Sequence, residues 1–200
     1  YAIEGGYRFI ELDLLETTDG YLVAGHDWVK FHKITGHTGS DPISLEEFRS
    51  RKIHGMYTPL SEIEIRGILQ ANPDLILVTD KIQDPGAVIN ALPFKDRIVM
   101  ELFTLADYQE ALDLGLRYPM YSIDGSAASF ETVFDRRIPL VAFHATALRR
   151  PEGQAFIRRL HESRGCAFVY SSNEEAFIEN NLALGVTAFF SDNWNLAQGR

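Results

Sequence analysis

The sequence predicts an α/β fold, a parallel (β/α) barrel, and three observations predict it. Short apolar runs alternate with amphipathic stretches along the whole chain, the signature of strands joined by helices in a parallel sheet. Neither a GxGxxG nor a Walker sequence follows an early strand, as a doubly wound nucleotide-binding sheet commonly has. Polar or ionisable groups recur at the C-terminal end of nearly every apolar run, where a (β/α) barrel carries its chemistry.

The strands expected are RFIELDLL (8–15), YLVAG (21–25), LILVTD (75–80), RIVMELF (97–103), PMYSI (119–123), PLVAFH (139–144), AFVYS (167–171) and TAFFSD (187–192). Thr18-Asp19-Gly20 is a turn of Asp-Gly type, so the second run reads as a hairpin return rather than a barrel strand. Helices fill the gaps. Ser44 with Glu47 three residues on reads as a capping box, and Asp84-Pro85 as a helix start with Pro in the first turn. Thr104 to Gly115 has an N-cap candidate and a terminal Gly. EGQAFIRRLHESRG and NEEAFIENNLALG each end in Gly before the next strand.

Two hundred residues suit a single domain, 1–200, with one sizeable core, and no repeat, low-complexity tract or linker divides it. A hydrophobic fraction of 46% and a charged fraction of 24% are those of an ordinary soluble globule. No apolar run approaches the roughly 20 residues of a membrane helix. The net charge of −9 argues against a reader of nucleic-acid phosphates, which needs a basic face. An acidic protein acting on a phosphate ester needs a cation to screen the repulsion. The one cysteine, Cys166, cannot form an internal disulfide and reads as a packing residue. That is compatible with a reducing compartment, and the cytoplasm is the expectation, any N-terminal signal lying outside this chain.

The strand ends hold Glu11 and Asp13, Asp80, Glu101, Asp124, His144 with Thr146, Ser171-Ser172-Asn173 and Asp192. Glu11 and Asp13 are two apart on an apolar strand, so their side chains share a face. Two ionised carboxylates there repel each other unless something lies between them. Mg²⁺ or Ca²⁺, hard cations that take carboxylate oxygens, remove the problem. A salt bridge from each carboxylate to Arg or Lys is the structural alternative, and the nearby His26-Asp27 and Asp80 weigh against it. His26 is the obvious proton carrier beside an anionic site. His32, His37, His54 and His161 lack such company and are expected to be solvated, the first three in a polar stretch from 28 to 60.

The stretch FIELDLLETTDGYLVAGHDW resembles the glycerophosphodiester phosphodiesterase family, whose pattern is IE-x-D, then T-x-DG, then LV-x-x-HD. Here these are Ile10-Glu11-Leu12-Asp13, Thr18-Asp19-Gly20 and Leu22-Val23-Ala24-Gly25-His26-Asp27. YTPLSE (57–62), LVTDK (77–81) and GVTAFFSDN (185–193) look like later family segments. The resemblance implies a TIM-like (β/α)8 barrel whose first strand is missing from this chain. The family's first strand ends in a His-Arg-Gly motif carrying one of two catalytic histidines, and nothing here matches it. Two further departures concern the site. The usual Glu-x-Lys reads Thr79-Asp80-Lys81, and the polar position usually filled by Gln or Ser is Glu101.

The resemblance implies a divalent cation, Mg²⁺ or Ca²⁺, held by Glu11, Asp13 and Asp80, with His26 as the acid for the leaving alcohol. Lys81 and Glu101 would bind substrate. The reaction implied is hydrolysis of a glycerophosphodiester, or a related diester on a glycan or lipid headgroup, to an alcohol and a phosphomonoester. Other readings are a lipid-directed phospholipase on the same barrel, or a degenerate barrel that binds phosphorylated glycans or lipid headgroups without turnover. A sugar-processing barrel using two carboxylates is a fourth, and it would need no metal.

Overall fold

The computed structural model describes residues 2–192. They fall into two compact units, one running to Glu101 and including Gln109–Tyr118, the other made of Leu102–Tyr108 and the chain from Pro119 onward. Among the described residues no helix is long and apolar enough to cross a membrane.

In the first unit the strands lie in the order β2-β1-β3-β4, with β1 Phe9–Glu16, β2 Leu22–Ala24, β3 Ile76–Asp80 and β4 Ile98–Leu102. The β1–β2 pair is antiparallel, as the Asp-Gly turn requires: Gly20 has φ of 82°, and Thr17 N–H bonds the Tyr21 carbonyl at 2.9 Å. β1–β3 and β3–β4 are parallel. β2 covers only Leu14–Glu16 of β1, so among the described residues Phe9–Asp13 have a strand partner on the β3 side alone. Phe9 is accordingly exposed.

Four helices lie wholly in this unit: α1 Trp28–Ile34, α2 Leu45–Ser50, α3 Glu62–Ala71 and α4 Pro85–Ala91. The stretch 28–60 is not simply polar surface. Phe31 and Phe48 stack at 4.5 Å, Trp28 meets both edge-on, and Val23 and Ile43 complete a small core beneath them. The sequence hides this because four aromatic and aliphatic anchors are scattered among charged residues without a clean period. The capping box falls elsewhere than expected. Ser44 does cap α2 through Glu47 N–H, but the Glu47 carboxylate turns to Arg51 instead. The reciprocal box is Ser61 with Glu64 at the start of α3. Asp84 caps α4 with Pro85 in its first turn, as read from the sequence.

The second unit holds β5 Tyr118–Ser122 from Pro119 on, then β6 Leu140–His144, β7 Cys166–Tyr170 and β8 Ala188–Phe189, parallel and in sequence order. α6 Ala127–Asp135, α7 Pro151–Glu162 and α8 Glu175–Leu184 alternate with them, and α5 Leu105–Asp113 precedes β5. Phe130 and Phe156 stack at 4.2 Å, with Phe143 edge-on to both, and join helices α6 and α7 to β6. Gly185, with φ of 116°, ends α8 before the last strand. That strand is shorter than TAFFSD, because Ser191 and Asp192 bond the Asn173 side chain rather than a ladder.

Candidate active site

Register makes the site. Glu11 pairs with Val78, Leu12 with Thr79 and Asp13 with Asp80 across the parallel β1–β3 ladder. Laterally paired residues share a face, and so do residues two apart on one strand. Glu11, Asp13 and Asp80 therefore project together, and each offers an oxygen within 4.8 Å of the others. The next ladder aligns Thr79 with Met100, so one further step along both strands sets Asp80 beside Glu101. A row of carboxylates thus crosses three strands at their C-terminal ends. Thr79, on the opposite face, is fully buried.

The electrostatics follow from this crowding. Glu11 keeps contact with solvent on the open side of β1, yet its pKa is pushed from 4.5 to about 7. Burial among protein atoms is the largest cause, followed by the charges of Asp13, Asp80 and Glu101; Lys81 opposes them. Glu101 is buried, at 4% exposure. Lys81 sits in the left-handed region, φ 71°, which turns its side chain back over the strand end. Its ammonium lies 2.5 Å from an Asp80 oxygen and 3.7 Å from one of Asp13. Burial works against the ammonium, but the hydrogen bond and charge of Asp80, with Asp13 and Glu101 behind it, win and raise its pKa. One lysine thus faces four carboxylates. The donor set, all carboxylate oxygen with a surplus of negative charge, fits a hard divalent cation.

His26 reaches this end of the sheet through the hairpin: Gly25 N–H bonds the Asp13 carbonyl at 2.9 Å, and His26 is the next residue. Its side chain is about half exposed, and Nδ1 lies 2.7 Å from an Asp27 oxygen. Asp27 is the N-cap of α1, accepting from Lys30 N–H at 2.6 Å. That backbone bond, then the one from His26, holds the Asp27 carboxyl below the usual range, so it stays ionised. An ionised Asp27 can only accept, so His26 Nδ1 carries a proton and Nε2 is the free nitrogen. Asp27 was legible in the sequence only as a neighbour of His26; its double role as cap and imidazole anchor comes from the helix start. In the second unit the strand-end groups serve turns: His144 caps a 3₁₀ turn through Thr146, Asp124 accepts from Ser126 N–H, and Asn173 binds Asp192. His32, expected to be solvated, is instead buried at 4% exposure, held between Arg51 and the Asp41 carbonyl.

The Glu11 shift gives a signed prediction for the metal-free protein. A carboxyl that titrates at 4.5 unfolded and about 7 folded destabilises the fold above pH 4.5, the penalty being complete above about pH 7. A divalent cation must displace that proton. Its apparent affinity, followed by calorimetry, should fall about tenfold from pH 8 to pH 6. An affinity that does not change across that interval would mean Glu11 is not a ligand.

No protein-family model matches the chain, and no curated protein does. Solved structures do match. A glycerophosphodiester phosphodiesterase from Thermotoga maritima superposes with a TM-score of 0.76 at 19% identity, covering 96% of this chain and 84% of that one. One from Agrobacterium tumefaciens gives 0.71 at 18% identity over 96% and 87% of the two chains. A phosphodiesterase from Oleispira antarctica, solved with its product sn-glycerol-3-phosphate, gives 0.76 at 15% identity over 94% and 83%. The TIM-like (β/α) fold expected from the sequence is the fold that this chain shares with the glycerophosphodiester phosphodiesterases.

Proposed function

We propose that the protein carrying this chain hydrolyses a glycerophosphodiester, or a related diester on a glycan or lipid headgroup, with a divalent cation held by Glu11, Asp13 and Asp80. The observation that carries the reading is the convergence of those three carboxylates within 4.8 Å at strand ends of this fold. When bound, the cation neutralises charge on the phosphoryl oxygens. Lys81, fixed by Asp80, contributes a second point charge toward the same oxygens. His26 donates from Nε2 to the departing alkoxide, while Asp27 holds Nδ1–H and stabilises the imidazolium before the transfer. Glu101, buried beside Asp80, accepts from a substrate hydroxyl or supports a second cation. The acceptor for the nucleophile's proton is expected from the His-Arg-Gly motif that the resemblance places on a preceding strand.

The test is turnover of glycerophosphocholine by the whole protein with Mg²⁺, Mn²⁺ or Ca²⁺, repeated in EDTA. Metal-dependent release of glycerol phosphate, lost in EDTA and restored by added cation, is the expected result. Binding of phosphorylated glycans without release of an alcohol would favour the non-catalytic reading, and EDTA-resistant activity would point to two-carboxylate chemistry.

A further inference from the structure

The segment after His26 builds a second site of opposite charge. A cavity of about 620 Å³ is lined by Lys33, His37, Arg51, Lys52 and His54, with Glu47 the one acidic side chain on its wall. Three permanent cations and two imidazoles against one carboxylate is a local surplus of positive charge on a chain whose net charge is −9. Nothing in the carboxylate chemistry described above uses these groups.

The cavity has a fixed wall. Arg51 is 8% exposed and is clamped from two sides, by the Glu47 carboxylate at 2.5 Å and by His32 Nδ1 at 2.6 Å. A guanidinium only donates, so His32 Nδ1 accepts, and Nε2–H donates to the Asp41 carbonyl at 2.8 Å. His32 thus offers Arg51 a hydrogen-bond acceptor and no opposing charge. Two of the five guanidinium N–H groups are committed to these partners, and the guanidinium carbon stands over the Phe31 ring, 5.9 Å from its centroid. Lys33 and His54 are exposed on the rim, and the ammonium of Lys33 has no ion-pair partner among the described residues. His54 and Gly55, with φ of 50° and 73°, curl the chain so that the His54 ring stands at the cavity mouth.

We propose that this cavity binds a phosphate-bearing anion. A buried guanidinium held by two partners supplies geometry, and the exposed Lys33 and Lys52, the latter bonded to Thr58 Oγ1 at 2.8 Å, supply point charge, the usual division of labour at phosphate sites. The site is separate from the carboxylates. It opens at the C-terminal end of α1, while His26 and Asp27 stand at the N-terminal end, about 10 Å away for a helix of seven residues. The phosphate could come free from solution, or as a second phosphate of an extended diester chain whose scissile bond lies near His26. Its occupancy does not depend on the catalytic reading.

Isotope-labelled protein is titrated with inorganic phosphate, and separately with a two-phosphate glycerol diester, in EDTA and at low ionic strength. Without a cation the carboxylate row repels phosphate, so binding there does not interfere. Amide resonances of residues 33–37 and 51–55 should shift with either ligand, and added salt should weaken the effect. The double substitution Lys33→Gln with His54→Asn alters two exposed positions, Asn tolerating the left-handed backbone, and should weaken binding at least about tenfold without lowering the melting temperature. Tighter binding of the two-phosphate ligand by tenfold or more assigns the site to an extended diester; comparable binding assigns it to free phosphate. No shift at these amides with either ligand, or unchanged affinity in the double variant, overturns the proposal. Asp13→Asn should leave the phosphate titration as it was.

Discussion

Asp80→Asn removes cation binding at the strand ends and lowers turnover by at least about 100-fold, the upper end of what losing a mere supporting group around a metal costs. The substitution keeps the shape of the side chain and deletes one charge from a row of carboxylates that Glu11 already resists. Metal-free stability should therefore hardly suffer: less repulsion on Glu11 is set against a weaker partner for Lys81. The readout is a pair of melting curves. In the parent, a cation at 100 times its dissociation constant stabilises the fold by about 2.7 kcal/mol. In the variant that increment should vanish while the curve in EDTA stays near the parent's. A variant that keeps the full increment would remove Asp80 from the ligand set.

His26→Ala should slow glycerophosphocholine hydrolysis by on the order of 10²–10⁴-fold, the range for losing one proton transfer. The side chain is half exposed and bonds only Asp27 among the described residues, so neither the fold nor cation affinity should change. The diagnostic is the leaving group. A choline or glycerol alkoxide needs a proton as it departs, whereas p-nitrophenolate does not. The same variant should therefore lose far less activity on bis(p-nitrophenyl) phosphate. Equal losses on both substrates would mean that His26 acts on the nucleophile or on substrate position instead of the leaving group.

Much of this was legible in the sequence because strands and hairpins declare themselves locally. The alternation in FIELDLL put Glu11 and Asp13 on one face, and the Asp-Gly turn located His26 just beyond the return strand. Strand-to-strand register was not legible. That Asp13 lies beside Asp80, and Asp80 beside Glu101, depends on ladders between segments about 67 and 21 residues apart, which no local pattern encodes. The same holds for the small aromatic core of Trp28, Phe31 and Phe48, and hence for the burial of His32, whose fate is decided by Arg51 nineteen residues away. Ser44 and Glu47 were legible as a capping box, and Ser44 does accept from Glu47 N–H, but the reciprocal half does not form because Glu47 has an arginine one helical turn on that competes for its carboxylate. The shortened last strand also turns on a distant side chain, Asn173.

Glu11, Asp13 and Asp80 are proposed to hold a divalent cation. Crystals of the protein grown with Mn²⁺, with data collected near the manganese edge, test it most directly. The expected result is one anomalous peak about 2.0–2.6 Å from a carboxylate oxygen of each of the three residues. A map with no peak there at saturating Mn²⁺, or with the ion bound elsewhere while the three carboxylates bond only Lys81 and water, would contradict it.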